Sequence, residues 1–194
     1  MCGIVGAVGI NLDFVSLDKS VKLLQHRGPD ANGKWRSSNC WLGHTRLSIL
    51  DLNERSNQPF TDYVDDCALV FNGEIYNFIE LKNTLLKDGI SFRTNSDTEV
   101  ILHSWRKWGN ECFGKFKGMF ALAIWNPTKN ELTLARDRFG EKPLYYTKTA
   151  NNQFFFSSEF RTTIHISNQN QICLSGLNDF LFFNYIASPN SLIK

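Results

Sequence analysis

Met1-Cys2-Gly3-Ile4-Val5-Gly6-Ala7-Val8-Gly9-Ile10 opens the chain. Residues 2–9 are apolar and partly β-branched, with glycines at 3, 6 and 9, which predicts a buried strand approached closely by another backbone or a ligand. The glycine spacing is not Gly-x-Gly-x-x-Gly and no Gly-Lys-Ser/Thr follows, which argues against a phosphate loop. Cys2 raises a separate question. Inside a strand it is one more buried residue; after removal of Met1 it carries a thiol and a free α-amine on one carbon. A thiol is only a few per cent thiolate at neutral pH and needs a base to become a nucleophile. An α-amine, with an ordinary pKa of about 7.7–8.0, is well placed to be that base.

Outward from this stretch, residues 15–25 place Leu17, Val21 and Leu24 on one helical side, and Gly28, Pro29 and Gly33 follow as a turn. Strand-like runs recur at CWLGHTRLSIL (40–50), CALVFN (67–72), MFALAIW (119–125), ELTLAR (131–136), PLYYTK (143–148) and QFFFSS (153–158). Two helices fall between them. The first, 76–89, has Asn77 and Glu80 at its start, Phe78, Leu81 and Leu85 on its apolar face, and Gly89 as a stop. The second, 96–109, has Ser96 and Glu99 in capping-box spacing, with Ile101, Trp105 and Trp108 facing the core. Strands, helices, then a dense run of strands predict an α+β fold with packed sheets and helices outside. Residues 175–194 begin as a helix and break at Pro189, as expected at the entrance to another domain.

A length of 194 residues suits one well-buried domain with the beginning of a second. A net charge of +2 and the absence of Lys/Arg runs exclude an electrostatic footprint for nucleic acid; the cluster Arg136 and Arg138 is balanced by Asp137 and Glu141. Five widely spaced cysteines without a Cys-x-x-Cys or Cys/His pairing give no zinc signature, and the last four read as reduced, buried thiols. About 18 consecutive apolar residues, the length needed to span a membrane, do not occur, and the N-terminus lacks a secretory leader. A cytoplasmic protein is expected.

Five polar stretches exceed what core packing requires: residues 1–3, 24–33, 42–52, 71–77 and 96–100. Asn72-Gly73 after a strand is commonly a tight turn. It is also a pair whose side-chain amide and main-chain N–H can converge on a developing oxyanion. Arg46, in an otherwise apolar run, requires a carboxylate: that of Asp51, that of Glu74, or that of a substrate. Asp97, in the first turn of its helix, complements the helix dipole or holds a ligand ammonium. Arg46 with Asp97 would grip both ends of an α-amino acid. His103 and His165 read as structural.

Seven ordered motifs, MCGIVG, HRGPDANG, GHTRLSILD, FNGEIYN, SDTEVIL, GMFALAIW and ARDRFGEKPLYY, resemble the class II glutamine amidotransferase domain of glutamine-dependent asparagine synthetases over residues 2–187. The resemblance implies a four-layer αββα sandwich of the N-terminal nucleophile hydrolase type. It implies Cys2 as nucleophile, its α-amine as base, and Asn72 and Gly73 as oxyanion hole. Arg46 would take the substrate carboxylate and Asp97 its ammonium, with Leu47, Ile49 and Glu74 completing the pocket. Arg27 would lie near the ammonia exit. The substrate would be L-glutamine, with no metal or cofactor for this half; ATP and Mg belong to a following synthetase domain, whose linker would begin at 188–194. A homodimer is compatible with this pattern. The other readings are a truncated, non-catalytic interaction domain and the glutaminase half of an amidotransferase with a different acceptor.

Overall fold

The computed structural model describes residues 1–61, 66–187 and 190–193. Nine strands run in chain order: β1 (Gly3–Val8), β2 (Ala31–Arg36), β3 (Cys40–Arg46), β4 (Phe60–Thr61), β5 (Ala68–Ile75), β6 (Gly118–Asn126), β7 (Glu131–Arg136), β8 (Tyr145–Lys148) and β9 (Phe154–Ser157). The α-helices are α1 (Phe14–Leu23), α2 (Phe78–Lys87), α3 (Asp97–Trp108), α4 (Cys112–Lys115), α5 (Phe160–Ser167) and α6 (Leu174–Phe183). Two antiparallel sheets form, one ordered β2-β3-β1-β9-β8 and the other β4-β5-β6-β7.

Side-chain alternation makes the layers. Successive strand residues point to opposite faces, and here both faces are apolar. From β1, Ile4 enters the core between the sheets while Val5 and Ala7 enter the core beneath α1 and α5. From β5, Ala68 and Val70 join Ile4 whereas Leu69 and Phe71 pack with Leu81, Leu85 and Ile101 of α2 and α3. β6 repeats this with Ala121, Ala123 and Trp125 against Phe120, Leu122 and Ile124. Three cores between four layers give the αββα sandwich, as expected. No described helix is long and apolar enough to cross a membrane.

Several local expectations change. Residues 31–36 form strand β2 instead of continuing the turn, because Ala31–Arg36 pair with Arg46–Trp41 of β3. Gly33 sits mid-strand, where a Cβ would stand 2.0 Å from the Gln58 carbonyl oxygen. The run 40–50 is strand only to Arg46. Ser96 does cap α3 through the Thr98 N–H, but Glu99 does not close the box. Its carboxylate takes the Arg93 and Thr94 N–H groups at 3.1 and 2.7 Å, tying down the preceding loop. Asn77 caps nothing; its amide clamps Lys115 and Lys117 instead. α6 ends at Asn184 in the left-handed conformation; the break at Pro189, with Ser188 and Lys194 of the linker at 188–194, lies outside the described residues.

Candidate active site

The two sheets each deliver one edge of a single cavity of about 250 Å³. Pockets for drug-sized ligands run about 300–1,000 Å³, so this one is in the size class of a single amino acid. Cys2, Arg46, Leu47, Ile49, Asn72, Gly73, Glu74 and Asp97 all line it. Arg27 does not; it reaches the Cys2 carbonyl oxygen through Nε at 3.1 Å.

Cys2 immediately precedes β1, whose ladder to β3 begins at Gly3↔Thr45. Its sulfur is held by the first residue after β3: the Leu47 N–H donates to Sγ at 3.4 Å, and Sγ faces the Leu47 carbonyl at 3.7 Å. Burial pushes this thiol above its ordinary pKa, against the Leu47 N–H bond that favours the thiolate. Cys40 and Cys112 are buried away from the cavity, and burial pushes the Cys112 thiol up to about 12. Among the described cysteines, only Cys2 borders the cavity.

Asn72 and Gly73 lie within β5, not in a turn, paired with Ala121 and Phe120 of β6. The Asn72 Nδ2 is buried and has no hydrogen-bond partner among the described residues. Buried donors are almost always satisfied, so an orphan on a residue that lines a cavity points to a missing acceptor. Gly73 admits no side chain there, since a Cβ would come 2.1 Å from the Met119 carbonyl oxygen. The upstream peptide is held across the sheets by His44, whose Nε2 bonds the Phe71 carbonyl at 3.1 Å. Burial lowers the His44 pKa to about 3, so the ring is neutral and Nε2 donates.

Arg46 meets neither the Asp51 nor the Glu74 carboxylate. Its Nη1 donates to the Asn53 carbonyl and Asn57 Oδ1 at 3.1 and 2.7 Å, and its Nη2 to the Leu50 and Asp51 carbonyls at 3.1 and 2.6 Å. The guanidinium thus braces the loop that forms one wall. The Asp51 carboxylate pins the same loop from elsewhere, accepting from Asn95 N–H at 2.8 Å and pairing with Arg55.

Asp97, the first residue of α3, is 4% exposed and accepts the Ile75 N–H at 3.1 Å. Burial, reinforced by the nearby Glu74 charge, raises its pKa to about 7 against that N–H bond. Burial likewise raises Glu74, with Lys142 opposing it. Lys142 was missed in the sequence, as was Gln58. Lys142 is 6% exposed in the cavity wall with its Nζ 3.2 Å from the Met1 sulfur. The signal was Asp137, read as a charge balance for Arg136 and Arg138. It instead accepts four main-chain N–H groups, from Phe120, Phe139, Glu141 and Lys142, and so folds the loop that presents Lys142. Gln58 lines the cavity and fixes its floor by accepting the Phe71 N–H at 2.6 Å. No group of three or more His, Cys, Asp and Glu able to hold a metal occurs among the described residues.

The family model described as a glutamine amidotransferase domain matches residues 1–194. A relative called asparagine synthetase [glutamine-hydrolyzing] 1, from Bacillus subtilis, is 39% identical over 99% of this chain and 31% of its own length. Another, amidase chry2 of Gibberella zeae, is 37% identical over 84% of this chain and 24% of its own. The chain therefore spans a minority of the length of the curated relatives it matches. In shape it is similar to the glutamine phosphoribosylpyrophosphate amidotransferase of B. subtilis, with a TM-score of 0.74, 22% identity, and coverage of 86% of this chain and 44% of that one. That likeness carries the fold, the αββα sandwich. With the whole chain matched and a relative at 39% identity, the protein belongs to the glutamine amidotransferase domain family, a family of enzymes that hydrolyse glutamine.

Proposed function

We propose that this chain releases ammonia from L-glutamine through a thioester on Cys2, with the Cys2 α-amine as its base once Met1 is removed. The observation that carries the reading is one cavity lined by both Cys2 and Asn72, whose buried Nδ2 has no hydrogen-bond partner among the described residues. The amine takes the thiol proton and sulfur attacks the γ-carboxamide carbon. Asn72 Nδ2 and the Gly73 N–H receive the oxyanion. The amine then returns its proton to the departing nitrogen as ammonia leaves past Arg27. Water, deprotonated by the same amine, cleaves the thioester, and the sum is glutamine plus water to glutamate plus ammonia. The groups bordering the cavity close this cycle without a cofactor, and we assign neither ATP nor Mg to these residues.

The substrate's ends are assigned to Asp97 for the ammonium and Arg46 for the carboxylate, with Leu47, Ile49 and Glu74 around the side chain. The consequence is a pH-dependent affinity. Asp97 is neutral below its pKa of about 7 and ionised above it, and only the ionised form attracts an ammonium. Glutamine binding must therefore expel a proton below neutrality, and KM is expected to rise about tenfold per pH unit there and flatten above. Glu74, Lys142 and Arg46 share the wall, so Asp97→Asn is the control: it should raise KM and erase the dependence. A KM in the native protein that is constant through that range overturns the assignment.

The acceptor assigned to the ammonia is aspartate, activated in a further domain of a longer, cytoplasmic asparagine synthetase. The relatives named asparagine synthetase support this reading. A different acceptor is the second reading, favoured by the relative named as an amidase. The test of the glutaminase itself combines intact mass with labelling by a glutamine-analogue electrophile. Chains lacking Met1 should be labelled at Cys2 and form glutamate; chains retaining Met1 should do neither. Unlabelled, inactive chains that lack Met1 would establish a non-catalytic interaction domain.

A further inference from the structure

Cys2 lies one residue outside the β1 ladder, so no strand partner fixes its main chain. Removal of Met1 would also take away its covalent neighbour on the amino side. Amine and thiol would then swing together about the Cα–C bond. Two contacts oppose this. The Leu47 N–H on sulfur sets the angle, and the Arg27 Nε on the Cys2 carbonyl at 3.1 Å sets the peptide plane and hence the axis.

Arg27 is itself held from a distance of 132 residues. Its Nη1 meets Glu159 Oε1 at 3.2 Å, and the same oxygen meets His26 Nε2 at 2.7 Å. The Arg27 side chain is 11% exposed, and Glu159 is the carboxylate that makes its burial tolerable. Glu159 stands at the start of α5, where a carboxylate commonly caps the helix, yet its side chain makes no capping bond there. It is turned across to Arg27 instead.

We infer that Glu159 is a positioning residue for the nucleophile, acting through Arg27 on the Cys2 carbonyl. This rests on the reading of Cys2 as the nucleophile. The clamp sets where the amine and sulfur stand relative to the oxyanion donors, and it touches neither end of glutamine. Its loss should therefore lower kcat and leave KM alone.

The test uses the processed protein. Glu159→Ala should lower kcat about 10- to 100-fold with KM within about twofold, and slow alkylation of Cys2 by iodoacetamide in parallel. Glu159→Gln, which keeps an acceptor oxygen but not the charge, should fall between, with an unchanged melting temperature; it serves if the Ala variant does not fold. In an Arg27→Ala background, Glu159→Ala should cost less than about twofold more, because residues acting through one another are not additive. Multiplying losses, a rise in KM instead of a fall in kcat, or normal turnover would each overturn the clamp. Activity that survives Cys2→Ala would instead overturn the nucleophile reading beneath it, so the two failures are distinguishable.

Discussion

Replacing Cys2 with Ala will reduce glutamate formation from glutamine by more than about 10⁴-fold, the scale on which removal of a covalent nucleophile acts. The expectation rests on the absence of a substitute. Cys40 and Cys112 are fully buried in the cores, their thiols held protonated by burial. No other described cysteine borders the cavity, and no described histidine does. The variant keeps its α-amine, but a water would have to attack the amide directly, without the thioester that the sulfur forms. The backbone of the variant should be undisturbed, because the Cys2 sulfur makes only two long hydrogen bonds among the described residues, both to Leu47. Glutamate release by a coupled assay checks it. Residual activity of a few per cent would sink the thioester mechanism.

Asn72→Ala is expected to lower kcat about 10²- to 10³-fold, as loss of one oxyanion donor does elsewhere. The amide's energetic position makes this a clean experiment. Its Nδ2 has no partner among the described residues, so loss of that donor breaks no hydrogen bond there and removes a standing desolvation cost. Stability should be unchanged or slightly higher. The donor acts where negative charge develops, so kcat and kcat/KM should fall together. A raised KM with kcat intact would move the amide from transition-state to ground-state binding.

The chemistry-bearing residues were more legible than the structure around them. Cys2, Asn72, Gly73 and Asp97 fell in the polar stretches that exceed what core packing requires, and the fold does gather them at one cavity. Legible too were the sheets, since β1, β5 and β6 are apolar on both faces and can only be inner layers. What was not legible depended on partners distant in sequence. Ala-Asn-Gly-Lys-Trp-Arg has turn composition and becomes β2 only because β3 offers a pairing edge. Phe160–Ser167 is rich in β-branched residues, whose local preference is overridden by packing of Ile166 beneath the first sheet. Glu99 has capping-box spacing but found better donors in Arg93 and Thr94. Of the carboxylates weighed for Arg46, those of Asp51 and Glu74 do not meet it; four oxygens of its own following loop hold the guanidinium instead.

The Cys2 sulfur and the Asn72 amide belong to different sheets, Cys2 ahead of β1 and Asn72 on β5. What separates those sheets is a row that includes three alanines, Ala68, Ala121 and Ala123, beside Ile4, Leu42 and Phe156. The girth of these spacers sets the gap across which bonds are made and broken. A methyl group added in this interior, remote from any ligand, would thus behave as a change of catalytic distance: the enzyme's calliper is its oiliest layer.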